Sequence, residues 1–82
     1  MGTEEVIRPE ASIDDIFRVA IKRECAAFHF YTEAAKRVHC TETRELLLKL
    51  AREESEHERA LTVEYNHIIA DREVGQAMGM DV

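Results

Sequence analysis

The chain is short, acidic and rich in helix-forming residues. It has 82 residues, 45% of them hydrophobic, with only three Gly and one Pro, which are too few turn residues for an all-β sandwich or barrel. The net charge is −6 and no basic run occurs, so nucleic acid is not an expected partner. A chain of this length buries only a modest core alone, and self-association or a metal is expected to stabilise it.

The first helix is predicted to span residues 13 to about 39, after an N-terminal tail over residues 1–11. Ser12 is a favourable N-cap residue, and Asp14 and Asp15 in the first turn complement the helix dipole. Apolar residues then recur at steps of three and four, which is the spacing of one helical face. This stripe consists of Ile13, Phe17, Ala20, Ala27, Tyr31, Ala34 and Val38, with Glu24 filling its gap.

The second helix is predicted to span about 42–74. Thr41 is expected to be its N-cap, and Gly75 is expected to follow its last residue as the C-terminal cap. Residues 12–74 then form one helical hairpin, and residues 75–82 form a C-terminal tail without a pattern. The second stripe consists of Leu47, Leu50, Glu54, His57, Leu61, Glu64 and Ile68.

A short connection between the helices predicts antiparallel packing. If the chain turns between Cys40 and Thr41, residues at the same height have numbers that add to about 81. Glu24 is then level with His57. Two helices cannot enclose a core, so the hairpin is expected to pair with a second copy and form a four-helix bundle from two chains.

Three polar residues lie inside the apolar stripes, namely Glu24, Glu54 and His57. A buried carboxylate is costly unless it has a partner, a proton or a metal. Glu54 and His57 are three residues apart, so both side chains leave the same face of the helix. A two-fold axis at this height would double the set to four carboxylates and two imidazoles. An oxygen-rich set of this kind suits iron or manganese.

These residues carry a resemblance to the ferritin-like superfamily, and in particular to its rubrerythrin-type branch. Glu24 is followed seven residues later by Tyr31, and the second helix contains Leu-Ala-Arg-Glu-Glu-Ser-Glu-His over residues 50–57. The chain looks most like encapsulated ferritins, whose two-helix subunits assemble a di-iron ferroxidase centre across a dimer interface. Rubredoxin-type C-x-x-C pairs, which rubrerythrins proper carry, do not occur in this sequence.

The resemblance implies that Glu24, Glu54 and His57 bind metal. It also implies a catalytic role for these three residues and for Tyr31. Glu24 and His57 would be terminal iron ligands, Glu54 a bridging carboxylate, and Tyr31 a hydrogen-bond donor or nearby ligand. Manganese or zinc would be substitutes for iron. The implied reaction is oxidation of Fe(II) to Fe(III) by dioxygen or peroxide, for iron storage or detoxification. Considered alone, Tyr31 fits a core aromatic residue better than a ligand.

Other interpretations stay open from the sequence. The three polar residues could form a network that only fixes helix register. The function could be that of a non-enzymatic metal-binding or scaffold bundle, or of a rubrerythrin-like peroxidase with an external electron donor. A secondary metal site is a further hypothesis, because Glu64 and His67 repeat the Glu-x-x-His spacing and His67 is level with Asp14.

The expected location is the cytoplasm. The first nine residues contain no apolar signal region, no apolar run could cross a membrane, and Cys25 and Cys40 fit free thiols of a reducing compartment. Cys25 is expected to pack as a small buried hydrophobe. The expected partner is a second copy of the chain, with higher oligomers possible. By resemblance an encapsulin shell is another candidate partner, although the sequence of residues 75–82 does not look like a shell-docking peptide.

Overall fold

The protein forms a hairpin of two long helices. A computed structural model describes residues 8–77, in which α1 spans Ile13–Arg37 and α2 spans Thr41–Ala77. The hairpin is a flat slab that measures 59 × 27 × 12 Å. The predicted all-α hairpin is therefore confirmed, whereas its pairing with a second chain stays a prediction. Over the residues described, neither helix is both long enough and apolar enough to cross a membrane.

The start of α1 is fixed by a capping box, as the sequence predicts. The Ser12 hydroxyl accepts the Asp15 backbone N–H at 3.1 Å, and the Asp15 carboxylate accepts the Ser12 N–H at 3.3 Å. Two of the unpaired donors at the helix start are thereby satisfied. The helix ends at Arg37, earlier than the predicted limit near residue 39, because Val38 is extended with φ −98° and ψ 146°.

The second helix begins one residue earlier than predicted, because the cap is Cys40 and not Thr41. The Cys40 carbonyl accepts the Arg44 backbone N–H at 2.9 Å, so Thr41 is already the first helical residue. The Arg44 guanidinium also donates to the Val38 carbonyl at 2.9 Å and braces the extended turn. The Thr41 prediction followed the general preference for hydroxyl caps, but here a thiol occupies that position.

The predicted end of α2 at Gly75 is wrong. The helix continues through this residue to Ala77. Glycine inside a helix costs only about 0.5–1 kcal/mol relative to alanine, and it keeps its backbone N–H donor. This cost is small enough for the helix to continue through Gly75, which is itself buried.

The two helices approach each other most closely through small side chains. In the described part of the chain, the buried hydrophobic side chains are those of Ala35 and Ala51. Larger apolar residues keep much of their surface in solvent, and Ile13 and Leu46 are 44% and 54% exposed. One hairpin thus leaves much of its apolar surface uncovered, as expected for two helices without a further layer.

Polar contacts fix the register of the helices at the end far from the turn. Asp14 near the start of α1 accepts a hydrogen bond from the Tyr65 hydroxyl at 2.8 Å and binds the Arg72 guanidinium through both oxygens at 3.3 Å. The ring of Phe17 stacks on that of Tyr65, with centroids 5.5 Å apart. The contacts of Tyr65 with Asp14 and Phe17 lie close to the register that the sequence predicts.

Candidate metal centre

Glu24, Glu54 and His57 converge near the middle of the hairpin. The Nδ1 atom of His57 lies 3.6 Å from a Glu24 carboxylate oxygen and 3.5 Å from one of Glu54. One possible ligand atom from each of the three residues lies within 4.8 Å of the others. The contact between Glu24 and His57 joins the two residues that the predicted register places level. The structure thus brings together all three residues that were predicted to bind metal.

The three side chains differ in their exposure. The carboxylates of Glu24 and Glu54 are 26% and 21% exposed, whereas the His57 side chain is 60% exposed. The carboxylates lie between the helices, and the imidazole lies towards an open side. The cluster is consequently accessible to a cation or to another protein surface.

The Glu54 carboxyl group perturbs the ionisation of Glu24. The pKa of Glu24 is raised, first by a hydrogen bond with the Glu54 carboxyl group, then by burial and by the Glu54 charge, while His57 acts in the opposite direction. Two carboxylates in hydrogen-bonding contact favour a shared proton or a bound cation, because their like charges repel each other. Carboxylates and imidazole are also the ligands that suit iron or manganese. The residues present therefore fit a divalent metal ion.

Tyr31 lies two helical turns after Glu24 and is not part of this cluster. Its half-buried ring packs edge-to-face against Phe30, with centroids 5.5 Å apart. This contact is that of a packing aromatic residue. The role of Tyr31 as a hydrogen-bond donor or nearby ligand stays a prediction.

The hypothetical second metal site is not formed within the hairpin. Among residues 8–77, the one group of three potential metal ligands is that of Glu24, Glu54 and His57. Glu64 and His67 are exposed, and Asp14 is bound by Tyr65 and Arg72 instead. The long Arg72 side chain reaches Asp14 from the next turns of α2, and a comparison of heights along the helices does not reveal this contact.

The Asp14 clamp, formed by Asp14, Tyr65 and Arg72, is the polar contact that sequence reasoning missed. A signal was available, because Arg72 follows Tyr65 by seven residues and so lies on the same face of α2. From the sequence, Asp14 was assigned to the helix dipole and to the hypothetical second metal site. Its two interhelical partners show that it also joins the helices.

Comparison with known proteins agrees with this geometry. An all-α hairpin with two carboxylates between its helices and an imidazole on their open side carries the ligand types of carboxylate-rich metal-binding proteins. The sequence model of the rubrerythrin family matches residues 15–78, which include most of both helices and the whole cluster. The chain therefore belongs to the rubrerythrin family, whose members are in general di-iron proteins. Searches of curated proteins and of solved structures gave no match.

Proposed function

We propose that this protein is a ferroxidase whose di-iron centre is completed between two hairpins. The observation that carries the proposal is the convergence of Glu24, Glu54 and His57, with the carboxylates between the helices and the imidazole open to one side. Fe(II) is the substrate, dioxygen or peroxide is the oxidant, and Fe(III) is the product. The biological purpose would be iron storage or detoxification.

A single hairpin supplies half of the proposed ligand set. Its two carboxylates carry two negative charges and would leave one divalent ion with few ligands. A second copy related by a two-fold axis would give four carboxylates and two imidazoles, which balance two divalent ions. In this arrangement Glu24 and His57 would each bind one of the ions, and Glu54 would supply a carboxylate that both ions share.

The surface around the cluster supports such pairing. By helical periodicity, Ile13 and Tyr31 on α1 and Leu46 and Leu61 on α2 fall on the side towards which His57 lies. Ile13 and Leu46, near opposite ends of this face, are 44% and 54% exposed. A second hairpin laid over this face would remove their apolar surface from water, which is the main favourable term in association.

The chemistry follows from the charge of the ligands. Two irons held together can each give one electron to a single oxidant, and anionic carboxylates stabilise the more highly charged Fe(III) product. Within the chain, Glu24 and Glu54 supply the negative charge and His57 supplies a neutral nitrogen donor. Helix packing limits the access of water to the two carboxylates.

The decisive experiment compares Glu54→Ala with Glu53→Ala. Glu53 is adjacent in sequence but makes only a partly exposed ion pair with Lys49 at 3.9 Å, so its loss is a matched control. Protein is loaded with Fe(II) without oxygen and then exposed to oxygen, and Fe(III) absorbance and oxygen consumption are followed. Glu54→Ala should lose the protein-dependent oxidation and Glu53→Ala should keep it. Equal oxidation by both variants would contradict the site assignment.

The same measurement distinguishes the other functions. Membership of the rubrerythrin family favours, as second candidate, a peroxidase that receives electrons from a separate carrier. In that case hydrogen peroxide should oxidise the loaded protein much faster than dioxygen does. A metal-binding protein without turnover should bind iron stoichiometrically and show no oxidation beyond the first loading.

A further inference from the structure

A groove between the helices adjoins the cluster of Glu24, Glu54 and His57 and contains a different set of potential metal ligands. It has a volume of about 260 Å³ and is lined by Glu24, Cys25, Phe28, His29, Ser55 and Glu58. Glu24 is shared with the cluster, whereas a thiol, an imidazole and a second carboxylate are not used there. The proposed oxidation of iron assigns no role to these three groups.

Cys25 and His29 are one helical turn apart on α1. Residues four positions apart lie on the same helix face with their side chains adjacent, so both can contact one ion. Both side chains are exposed, contrary to the expectation that Cys25 packs as a small buried residue. The His29 ring lies beside the groove and contacts the Phe28 ring edge-to-face, with centroids 5.4 Å apart.

Glu58 supplies a carboxylate from the opposite helix. One of its oxygens accepts a hydrogen bond from the Thr62 hydroxyl at 2.9 Å, and the side chain is half-buried. A carboxylate offers about four acceptor positions, so this hydrogen bond still permits metal binding. The Thr62 contact restrains the side chain without neutralising its charge.

We propose that Cys25, His29 and Glu58 form a second metal site, for a thiophilic divalent cation such as Zn²⁺. One sulfur, one nitrogen and one oxygen ligand, with water as the fourth, match the ligand types of zinc. The thiolate distinguishes this site chemically from the oxygen-rich cluster at Glu54. The three groups are not gathered within 4.8 Å as the cluster is, so binding requires rotation of the exposed Cys25 and His29 side chains.

The test uses Co²⁺ as a spectroscopic probe for Zn²⁺. A cobalt–thiolate bond gives a charge-transfer absorption that oxygen and nitrogen ligands do not give. Titration of the full chain should produce this band at one Co²⁺ per chain. The band should be lost in Cys25→Ser and kept in Cys40→Ser, which removes the other thiol. Glu54→Ala should also keep it, so the result does not depend on the proposed ferroxidase site.

A second measurement tests the other ligands. Cd²⁺ should slow alkylation of Cys25 by iodoacetamide, read by peptide mass spectrometry, at a much lower concentration than it slows alkylation of Cys40. His29→Ala and Glu58→Gln should weaken the protection of Cys25 by about tenfold or more in Cd²⁺ concentration. Absence of the cobalt band, its survival in Cys25→Ser, or unchanged protection in His29→Ala would each overturn the proposal.

Discussion

Tyr65 and Asp14 are 51 residues apart in the sequence and are joined by a hydrogen bond of 2.8 Å from the tyrosine hydroxyl to the carboxylate. Arg72 binds the same carboxylate through both of its oxygens. The Tyr65 hydrogen bond, followed by that of Arg72, holds the pKa of Asp14 below its ordinary value of 3.8. The ionised form of Asp14 is therefore preferred in the folded chain.

This relationship predicts a pH-dependent contribution to stability. A carboxylate whose pKa is lowered by folding contributes stability above its unfolded pKa and loses it as the pH falls through the folded value. Asp14→Asn should thus lower the denaturation midpoint at pH 7. The difference from the wild type should shrink below about pH 4 and disappear in stronger acid. A difference that is constant with pH would contradict the role of the charge.

Close packing at Ala51 predicts intolerance of larger side chains. Its side chain is buried where the helices meet, and overpacking such a position typically costs about 1–3 kcal/mol. Ala51→Leu should reduce the free energy of unfolding by this amount in urea denaturation. The exposed Ala60 on the same helix provides the control. An Ala60→Leu variant that loses as much stability would show that the effect is not one of packing.

Metal binding and self-association should be linked, because only two hairpins together supply the complete ligand set. We expect Fe(II) or Mn(II) to shift the protein towards dimer at low concentration and a chelator to shift it towards monomer. Sedimentation velocity without and with metal measures this. A dimer that is indifferent to chelator in the wild type, or a metal effect that persists in Glu54→Ala, would contradict the linkage.

The proposed interface predicts unequal effects of two leucines on the same helix. By helical periodicity, Leu46 falls on the face that carries His57, whereas Leu48 falls away from it. Both side chains are exposed, so a charge at either position should be tolerated by the monomer. Leu46→Glu should raise the dimer dissociation constant by at least about tenfold in sedimentation measurements. Leu48→Glu should leave it unchanged, and an equal loss in both would move the interface elsewhere.

The turn predicts a reactive thiol. The pKa of Cys40 is lowered, first by hydrogen bonds from the backbone and side chain of Thr43 and then by the Glu42 backbone. The thiolate is the nucleophile in alkylation. In a Cys25→Ser background, iodoacetamide should therefore react with Cys40 at lower pH than with free cysteine. The pH dependence of the alkylation rate gives the pKa, and a value at or above that of free cysteine would refute the prediction.

The sequence was sufficient to predict the features that depend on periodicity. Stripes at steps of three and four predicted both helices, and the short turn predicted that Glu24 meets His57. Features that depend on side-chain length or on a balance of small energies were not predictable in this way. The long side chain of Arg72 reached Asp14 from further along α2, and α2 continued through Gly75 because glycine costs little inside a helix.

Predictions about the residues on the outside of the hairpin were weaker for a related reason. Cys25 was expected to be buried because cysteine commonly behaves as a small hydrophobe. On a hairpin of two helices, however, most positions face solvent, and residue type says little about which ones are covered. The apolar stripes predicted well only which residues lie between the two helices.

The thinness of the hairpin bears on the fate of the oxidised iron. The slab is only 12 Å in its shortest dimension, and two such slabs face to face would be filled by their own side chains. Such a bundle has no internal space in which a ferric mineral could grow. An oxidation centre built from this chain would therefore release its product, and any mineral would have to grow outside the bundle.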